Sequence, residues 1–341
     1  PQGAQWAKAA GRAAGWGACP PPPPAMAATG AEPGGDGASA GEESDELTQL
    51  VGRLPTFPHQ PFSPEGVAHA AAFRPRPSDV FVLTPPKTGT TWMQMLCHCL
   101  RTRGRPSAFD DIYQVVPWDQ MAWDLGQDLH AEQVACPRLF KSHQRLSSIN
   151  RGGRYLCLVR SVEDVLLSWW NFLRPKDIPP LRKYSSASEF AFDEGFFAQG
   201  MRFGASIWEY YAEFAKARHL SSVLVLCYED LVEDLAGHLP VLAAFLGLPA
   251  EDLAEPAAAE RVLQLCSREG MAAMATRFDE SWAYEELKRV GRMKDPSSFT
   301  PTPRVNTHQK AKDKEALTDD AQQFLRDSWR DRVYRETGLP D

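Results

Sequence analysis

The chain has 341 residues and a formal net charge of −7; 43% of its residues are hydrophobic, and ten Trp and seventeen Phe are among them. Such a composition builds a packed globular body, and its acidic balance argues against general attraction to nucleic acid or an anionic membrane without excluding a local basic cleft. No run reaches the ~20 apolar residues that span a bilayer, and the seven cysteines, irregularly spaced and lacking a C-x-x-C pair, read as buried reduced thiols rather than a zinc site or disulfide framework.

Residues 1–45 are low in complexity, with consecutive prolines from Pro20 to Pro24 and an acidic close at Glu42-Glu43-Ser44-Asp45-Glu46. This reads as a disordered segment ahead of one folded domain at 46–341. Met26 is a candidate start, and a targeting role for the head stays open although it lacks an apolar secretory core. Residues 47–78 are Pro-rich and read as an irregular approach carrying Phe57, Phe62 and Phe73. Val80–Leu83 is a short apolar run that predicts a buried strand, and Thr91–Leu100 predicts a helix with Trp92, Met95, Leu96 and Cys99 at helical spacing. Further strands are predicted at 138–141, 155–159 and 223–227. Helices are predicted at 164–172, near Leu231, and over 204–218, 238–247, 257–275 and 317–335. Apolar strands alternating with helices indicate a single α/β domain with a central, mostly parallel sheet and helices on both faces. Ligands gather at the carboxyl ends of such strands, and the chemically suggestive residues fall there.

The strongest signal is Thr84-Pro85-Pro86-Lys87-Thr88-Gly89-Thr90-Thr91-Trp92. A strand runs through a tight turn into a helix, so backbone N–H groups and the positive end of the helix dipole converge on one spot, and Lys87 adds a full charge. The order differs from the nucleotide triphosphatase loop G-x-x-x-x-G-K-[ST], because Lys precedes Gly. From Pro86 to Trp92 the segment resembles the phosphosulfate loop of cytosolic sulfotransferases, close to Y-P-K-[ST]-G-T-T-W, with Pro85 where Tyr is usual.

The resemblance continues in order. Phe140-Lys141-Ser142-His143 is similar to the family's F-K-[ST]-H, whose His is the catalytic base. Tyr155 to Phe172 resembles the segment whose Arg and Ser hold the donor's 3′-phosphate, here Arg160 and Ser168. Leu226 to Leu231 resembles the Y-E-D-[ML] segment, with Tyr228 near the nucleotide, and Val116-Pro117-Trp118 resembles a stretch along the acceptor pocket. The likeness covers about residues 55–335. It departs at Ser161-Val162, where Asp-Pro is common, and at Cys266-Ser267-Arg268, where Arg268 replaces a common Phe. Asn306-Thr307-His308 stands where R-K-G usually holds the 3′-phosphate, with Arg304 and Lys310 nearby. The dimer segment survives only as Lys314, Thr318, Asp319 and Gln323, which implies a monomer or weak homodimer.

The resemblance implies a P-loop-like site that binds PAPS (3′-phosphoadenosine 5′-phosphosulfate) and releases PAP; the segments supply cationic side chains and no evident carboxylate cage, so no metal is expected. The resemblance assigns catalysis to His143, Lys87 and Lys141. Donor binding falls to Lys87, Thr88, Gly89, Thr90, Thr91, Trp92, Arg160, Ser168, Tyr228, Ser267 and Arg304. The acceptor, a small molecule with a hydroxyl or amine, would meet Phe57, Trp118 and Phe172, with Phe62, Trp123, Trp169 and Trp170 as further aromatic candidates. A cytoplasmic enzyme without nucleic-acid or membrane partners is implied. The competing readings are a P-loop kinase with a variant loop, and a catalytically weakened nucleotide-binding protein of the same fold.

Overall fold

A computed structural model of the chain describes residues 40–56, 62–176, 181–193, 206–249, 256–299, 301–305 and 317–338. Its sheet has four parallel strands, β1 (Val80–Leu83), β2 (Leu139–Ser142), β3 (Arg154–Val159) and β4 (Val223–Cys227), in the order β2-β1-β3-β4. The predicted strands lie where the apolar runs placed them. Every residue of β1, β2 and β4 is buried, as a sheet covered on both faces requires.

Alternation along the strands divides the core in two. Phe81, Leu83, Phe140, Tyr155, Cys157, Val223 and Val225 point into one apolar layer. Val80, Val82, Leu139, Leu156, Leu158, Leu224 and Leu226 point into the other. The first layer is closed by α1 (Ala40–Val51), α4 (Val162–Leu173), α6 (Ile207–Ala217) and α12 (Asp319–Trp329), the second by α3 (Thr90–Arg101), α8 (Leu235–Phe245) and α9 (Pro256–Cys266). The shorter α5 (Ala187–Ala191) adds to the first layer and α7 (Tyr228–Glu233), α10 (Arg268–Ala273) and α11 (Ser281–Val290) to the second, while α2 (Pro64–Ala72) precedes β1.

The structure corrects the reading of the N-terminal region. Residues 40–45, assigned to the low-complexity segment, belong to α1, which buries Leu47 and sends Glu43 to the backbone N–H of Ser222 at 3.0 Å. Within the supposedly irregular approach, α2 starts at Pro64, behind an N-cap Ser63 whose hydroxyl accepts from Gly66 N at 2.9 Å. Proline suits this first helical position because its missing N–H would have no partner there. The helix predicted over 257–275 breaks at Ser267, which caps α10, and the C-terminal helix widens into a π turn at Arg330–Tyr334. The acidic residue Asp79 forms a buried bidentate pair with Arg138, at 2.9 and 2.6 Å, fastening the entry of β1 to that of β2. Five of the described cysteines are buried and Cys136 is exposed, and all six are free thiols. Among the described residues no helix is long and apolar enough to cross a membrane.

Candidate active site

The chain leaves β1 toward β2 on one side, then crosses back to β3 on the other. Beyond the carboxyl ends of β1 and β3 the connections therefore diverge and open a crevice, the switch point where open α/β sheets bind ligands. The Thr84–Trp92 loop follows β1, Arg160 follows β3, His143 follows β2 and Tyr228 follows β4. The four segments singled out in the sequence thus meet at one edge of the sheet.

The loop turns through two left-handed residues, Lys87 at φ 71° and Gly89 at φ 108°. A Cβ at Gly89 would lie 2.8 and 2.9 Å from Tyr228 ring atoms and 3.1 Å from Leu158. Only glycine lets the loop pass that ring and start α3. At Lys87 the strain turns the carbonyl oxygen toward Arg160, whose Nη1 donates to it at 3.2 Å. Arg160 also lies 4.4 Å from the Tyr228 ring centre and 3.5 Å from Asp164. Its own backbone is clamped by Tyr211, whose hydroxyl donates to Arg160 O and accepts from Arg160 N. Trp92 stands edge-on to Tyr228 at 5.4 Å and donates from its indole to Cys266 O at 2.7 Å.

Not every hydroxyl of the loop faces the cleft. Thr88 is fully buried and donates to Pro85 O at 2.8 Å, while Thr90 shares a 2.6 Å bond with Thr84. Thr88 therefore locks the turn from within, and its contribution to an anion site is its backbone. Ser267 is likewise occupied: its hydroxyl accepts from Gly270 N and donates to Gln264 O. Ser168 lies half-buried on α4 one turn past Asp164, on the stripe that Phe172 continues.

The electrostatics centre on Phe172. Lys87 Nζ and Lys176 Nζ each lie 4.0 Å from its ring centre, and the Arg304 guanidinium lies at 5.0 Å. Arg304 thus sits beside Lys87 and forms an ion pair with the buried carboxylate of Glu280. Burial, and then the charge of Arg304, lowers the Lys87 pKa to about 7. A cluster of cationic side chains of this kind suits a polyanionic ligand.

Residues 117–119 run alongside β2: Lys141 N donates to Pro117 O at 2.8 Å and Asp119 N to Lys141 O at 3.0 Å. This brings Trp118 edge-on to His143 at 5.1 Å, with Phe62 edge-on to Trp118 at 4.7 Å. Lys141 Nζ lies 3.5 Å from the Trp118 ring centre and donates to the Tyr113 hydroxyl at 2.9 Å. His143 is 5% exposed, and its Nδ1 lies 2.8 Å from Thr84 O. A carbonyl only accepts, so Nδ1 is the donor and the neutral ring carries its acceptor lone pair on Nε2. His143 is thereby tied to the first residue of the loop that carries Lys87.

Three aromatic candidates lie elsewhere. Trp169 and Trp170 pack into the core with Val165, Leu166 and Leu173, and Trp123 stacks on His69 at 3.7 Å beneath Arg292. Phe57, Asn306, Thr307, His308, Lys310 and Lys314 lie outside the described residues. Tyr113, Lys176, Tyr211 and Glu280 belong to the site's surroundings and were not singled out in the sequence. Among the described residues no group of three or more His, Cys, Asp and Glu is placed to hold a metal ion.

This chain belongs to the sulfotransferase domain family, which it matches over residues 77–332. It is 28% identical over 231 residues to flavonol 3-sulfotransferase of Flaveria bidentis, covering 63% of this chain and 72% of the relative. It is 26% identical over 250 residues to cytosolic sulfotransferase 14 of Arabidopsis thaliana (65% and 70%), and 29% over 216 residues to sulfotransferase 4A1 of Homo sapiens (60% and 72%). Among solved structures, retinol dehydratase in complex with retinol and PAP aligns with a TM-score of 0.54 at 21% identity, over 85% of this chain and 95% of that one. A mouse sulfotransferase complexed with PAP aligns at 0.50 and 16%, over 79% and 90%. The cytosolic-type resemblance and the α/β fold expected from the sequence are borne out by these matches.

Proposed function

We propose that the chain transfers the sulfuryl group of PAPS to a hydroxyl of a small, flat acceptor, with His143 as the base. The observation that carries this reading is the pairing of an anion loop and cation cluster with an imidazole whose tautomer is fixed for proton abstraction. Lys87, Arg304 and Lys176 converge on one side of the cleft, and His143 hangs from Thr84 at the start of the same loop. Family membership and the PAP bound to structural neighbours support the donor assignment.

In this mechanism the acceptor oxygen attacks sulfur, and its proton passes to His143 Nε2. The bond between sulfur and the bridging oxygen of the 5′-phosphate breaks, and PAP leaves with the electron pair. Lys87 offsets the negative charge that grows on that oxygen. The Gly89 turn and the start of α3 hold the 5′-phosphate, and Arg160 with Ser168 meets the 3′-phosphate, which suits the forked guanidinium. Phe62 and Trp118, edge-to-face beside His143, give the acceptor a flat apolar wall.

The test pairs two measurements. PAP should raise the melting temperature at concentrations where ATP with Mg²⁺ does not. Sulfur-labelled PAPS should label at least one acceptor from a panel of phenols, alcohols, steroids and amines. Stabilisation by ATP–Mg²⁺ and not by PAP would favour the kinase alternative; PAP binding without transfer to any acceptor would favour a nucleotide-binding protein that has lost the chemistry.

A further inference from the structure

One buried carboxylate links Lys141 to Arg304 through a chain of hydrogen bonds. Glu280 is 1% exposed and sits at φ 66°, a left-handed conformation that is uncommon for a side chain of this size. Its Oε1 accepts from the Tyr113 hydroxyl at 2.8 Å and from Arg304 Nη2. The Tyr113 hydroxyl in turn accepts from Lys141 Nζ at 2.9 Å. On one side the path runs from Glu280 through Tyr113 to Lys141, whose Nζ lies over the Trp118 ring beside His143. On the other it runs through Arg304 to the Phe172 ring that Lys87 also faces. Arg304 is fixed as well by its backbone N–H, which donates to Phe278 O at 3.1 Å.

We propose that Glu280 is a positioning residue of this site: reached through a strained turn, its carboxylate holds Tyr113 and Arg304 together and thereby keeps Lys141 and Lys87 in place beside the cleft. The part of this that concerns turnover rests on the sulfuryl-transfer reading above. A helix cap alone does not explain a buried glutamate here, since glycine would take the same turn without strain. Charge does explain it. Burial and the Arg304 charge pull both lysines down, Lys87 to about 7 and Lys141 well below its ordinary value, and the largest opposing influence on each is the Glu280 carboxylate. The other groups facing Lys87 are Lys176 and Arg160, and those facing Lys141 are Asp111 and Asp119, with the Tyr113 hydroxyl bonded to it.

The experiment compares the full chain with Glu280→Gln, Tyr113→Phe, Glu280→Gly and the Glu280→Gln/Tyr113→Phe double variant. The proposal predicts that Glu280→Gln and Tyr113→Phe each lower kcat about tenfold or more, as loss of a hydrogen bond to a buried charge does, while PAP affinity stays within about threefold. The double variant should be little worse than the worse single one, because both break the same link. Glu280→Gly should remain folded and lose turnover equally. A second readout needs no activity. Timed acetylation of the lysines, read peptide by peptide across pH, should show Lys87 becoming reactive at lower pH in Glu280→Gln than in the parent chain.

Full kcat in Glu280→Gln or Glu280→Gly, additive losses in the double variant, or an unchanged Lys87 labelling curve would overturn the proposal. A parent chain that transfers no sulfuryl group, yet shows the labelling shift, would instead overturn the functional reading and leave Glu280's hold on the lysines standing.

Discussion

Gly89→Ala attacks the loop at the point where the structure leaves least room. The added methyl would meet Tyr228 at 2.8 and 2.9 Å and Leu158 at 3.1 Å, with the backbone at φ 108°. Holding an alanine in a left-handed conformation costs about 1–2 kcal/mol. Pushing a methyl into a packed ring costs about 1–3 kcal/mol more. The sum, about 2–5 kcal/mol, corresponds to a fall of roughly 5–15 °C in melting temperature for a domain of this size. The distortion falls on the turn and on Tyr228, against which Arg160 rests, so PAP affinity should drop with stability. Tyr228→Ala made on top of Gly89→Ala removes the ring contacts but not the Leu158 contact or the backbone strain, so the double variant should be less destabilised than the sum of the two single changes. Calorimetric melting with and without PAP measures both effects. A variant melting within about 2 °C of the parent chain and binding PAP normally would refute the reasoning.

Burial, and then the charge of Arg304, holds Lys87 near pKa 7, so at pH 8 much of it is neutral. Binding the anionic PAP should restore its charge, and titration calorimetry in buffers of different ionisation enthalpy should detect uptake of up to about one proton, absent in Lys87→Met. The same depressed value means the unfolded chain binds more protons than the folded one above pH 7. The Lys87 contribution to stability of the ligand-free chain therefore rises with pH from about 7 toward ~10. Arg160→Ala should weaken PAP about 10–100-fold while leaving adenosine 5′-phosphosulfate, which lacks the 3′-phosphate, nearly unchanged; equal losses for both would place Arg160 elsewhere on the nucleotide. Asp79→Ala strands the buried Arg138 guanidinium, and should cost about 3–5 kcal/mol of stability without altering PAP affinity at a temperature where the variant is folded.

What the sequence made legible was contiguous. Lys87, Gly89 and the start of α3 lie within a few residues, so strand, turn and helix dipole could be read together, whereas Arg160 and His143 were marked by the resemblance of their segments to the sulfotransferase family, both lying just past apolar strands. Residues 165, 166, 169, 170 and 173 show why the aromatics misled. They form the buried face of α4, so Trp169 and Trp170 enter the core, and only Phe172, on the stripe with Asp164 and Ser168, turns toward the lysine. The composition of 47–78 concealed α2, because proline at a first helical position and proline in a loop look alike without the cap that Ser63 supplies. Glu280 left no local signal at all. It lies 167 residues from Tyr113, and its role exists only once the fold brings Tyr113, Lys141 and Arg304 to one carboxylate.

The proposed transfer depends most directly on His143. In a single turnover with labelled PAPS and an acceptor identified from the panel, His143→Ala should slow transfer about 10²–10⁴-fold, while PAP binds as tightly as to the parent chain. Transfer at the parent rate, with PAP affinity unchanged, would contradict an imidazole fixed on Thr84 as the proton acceptor.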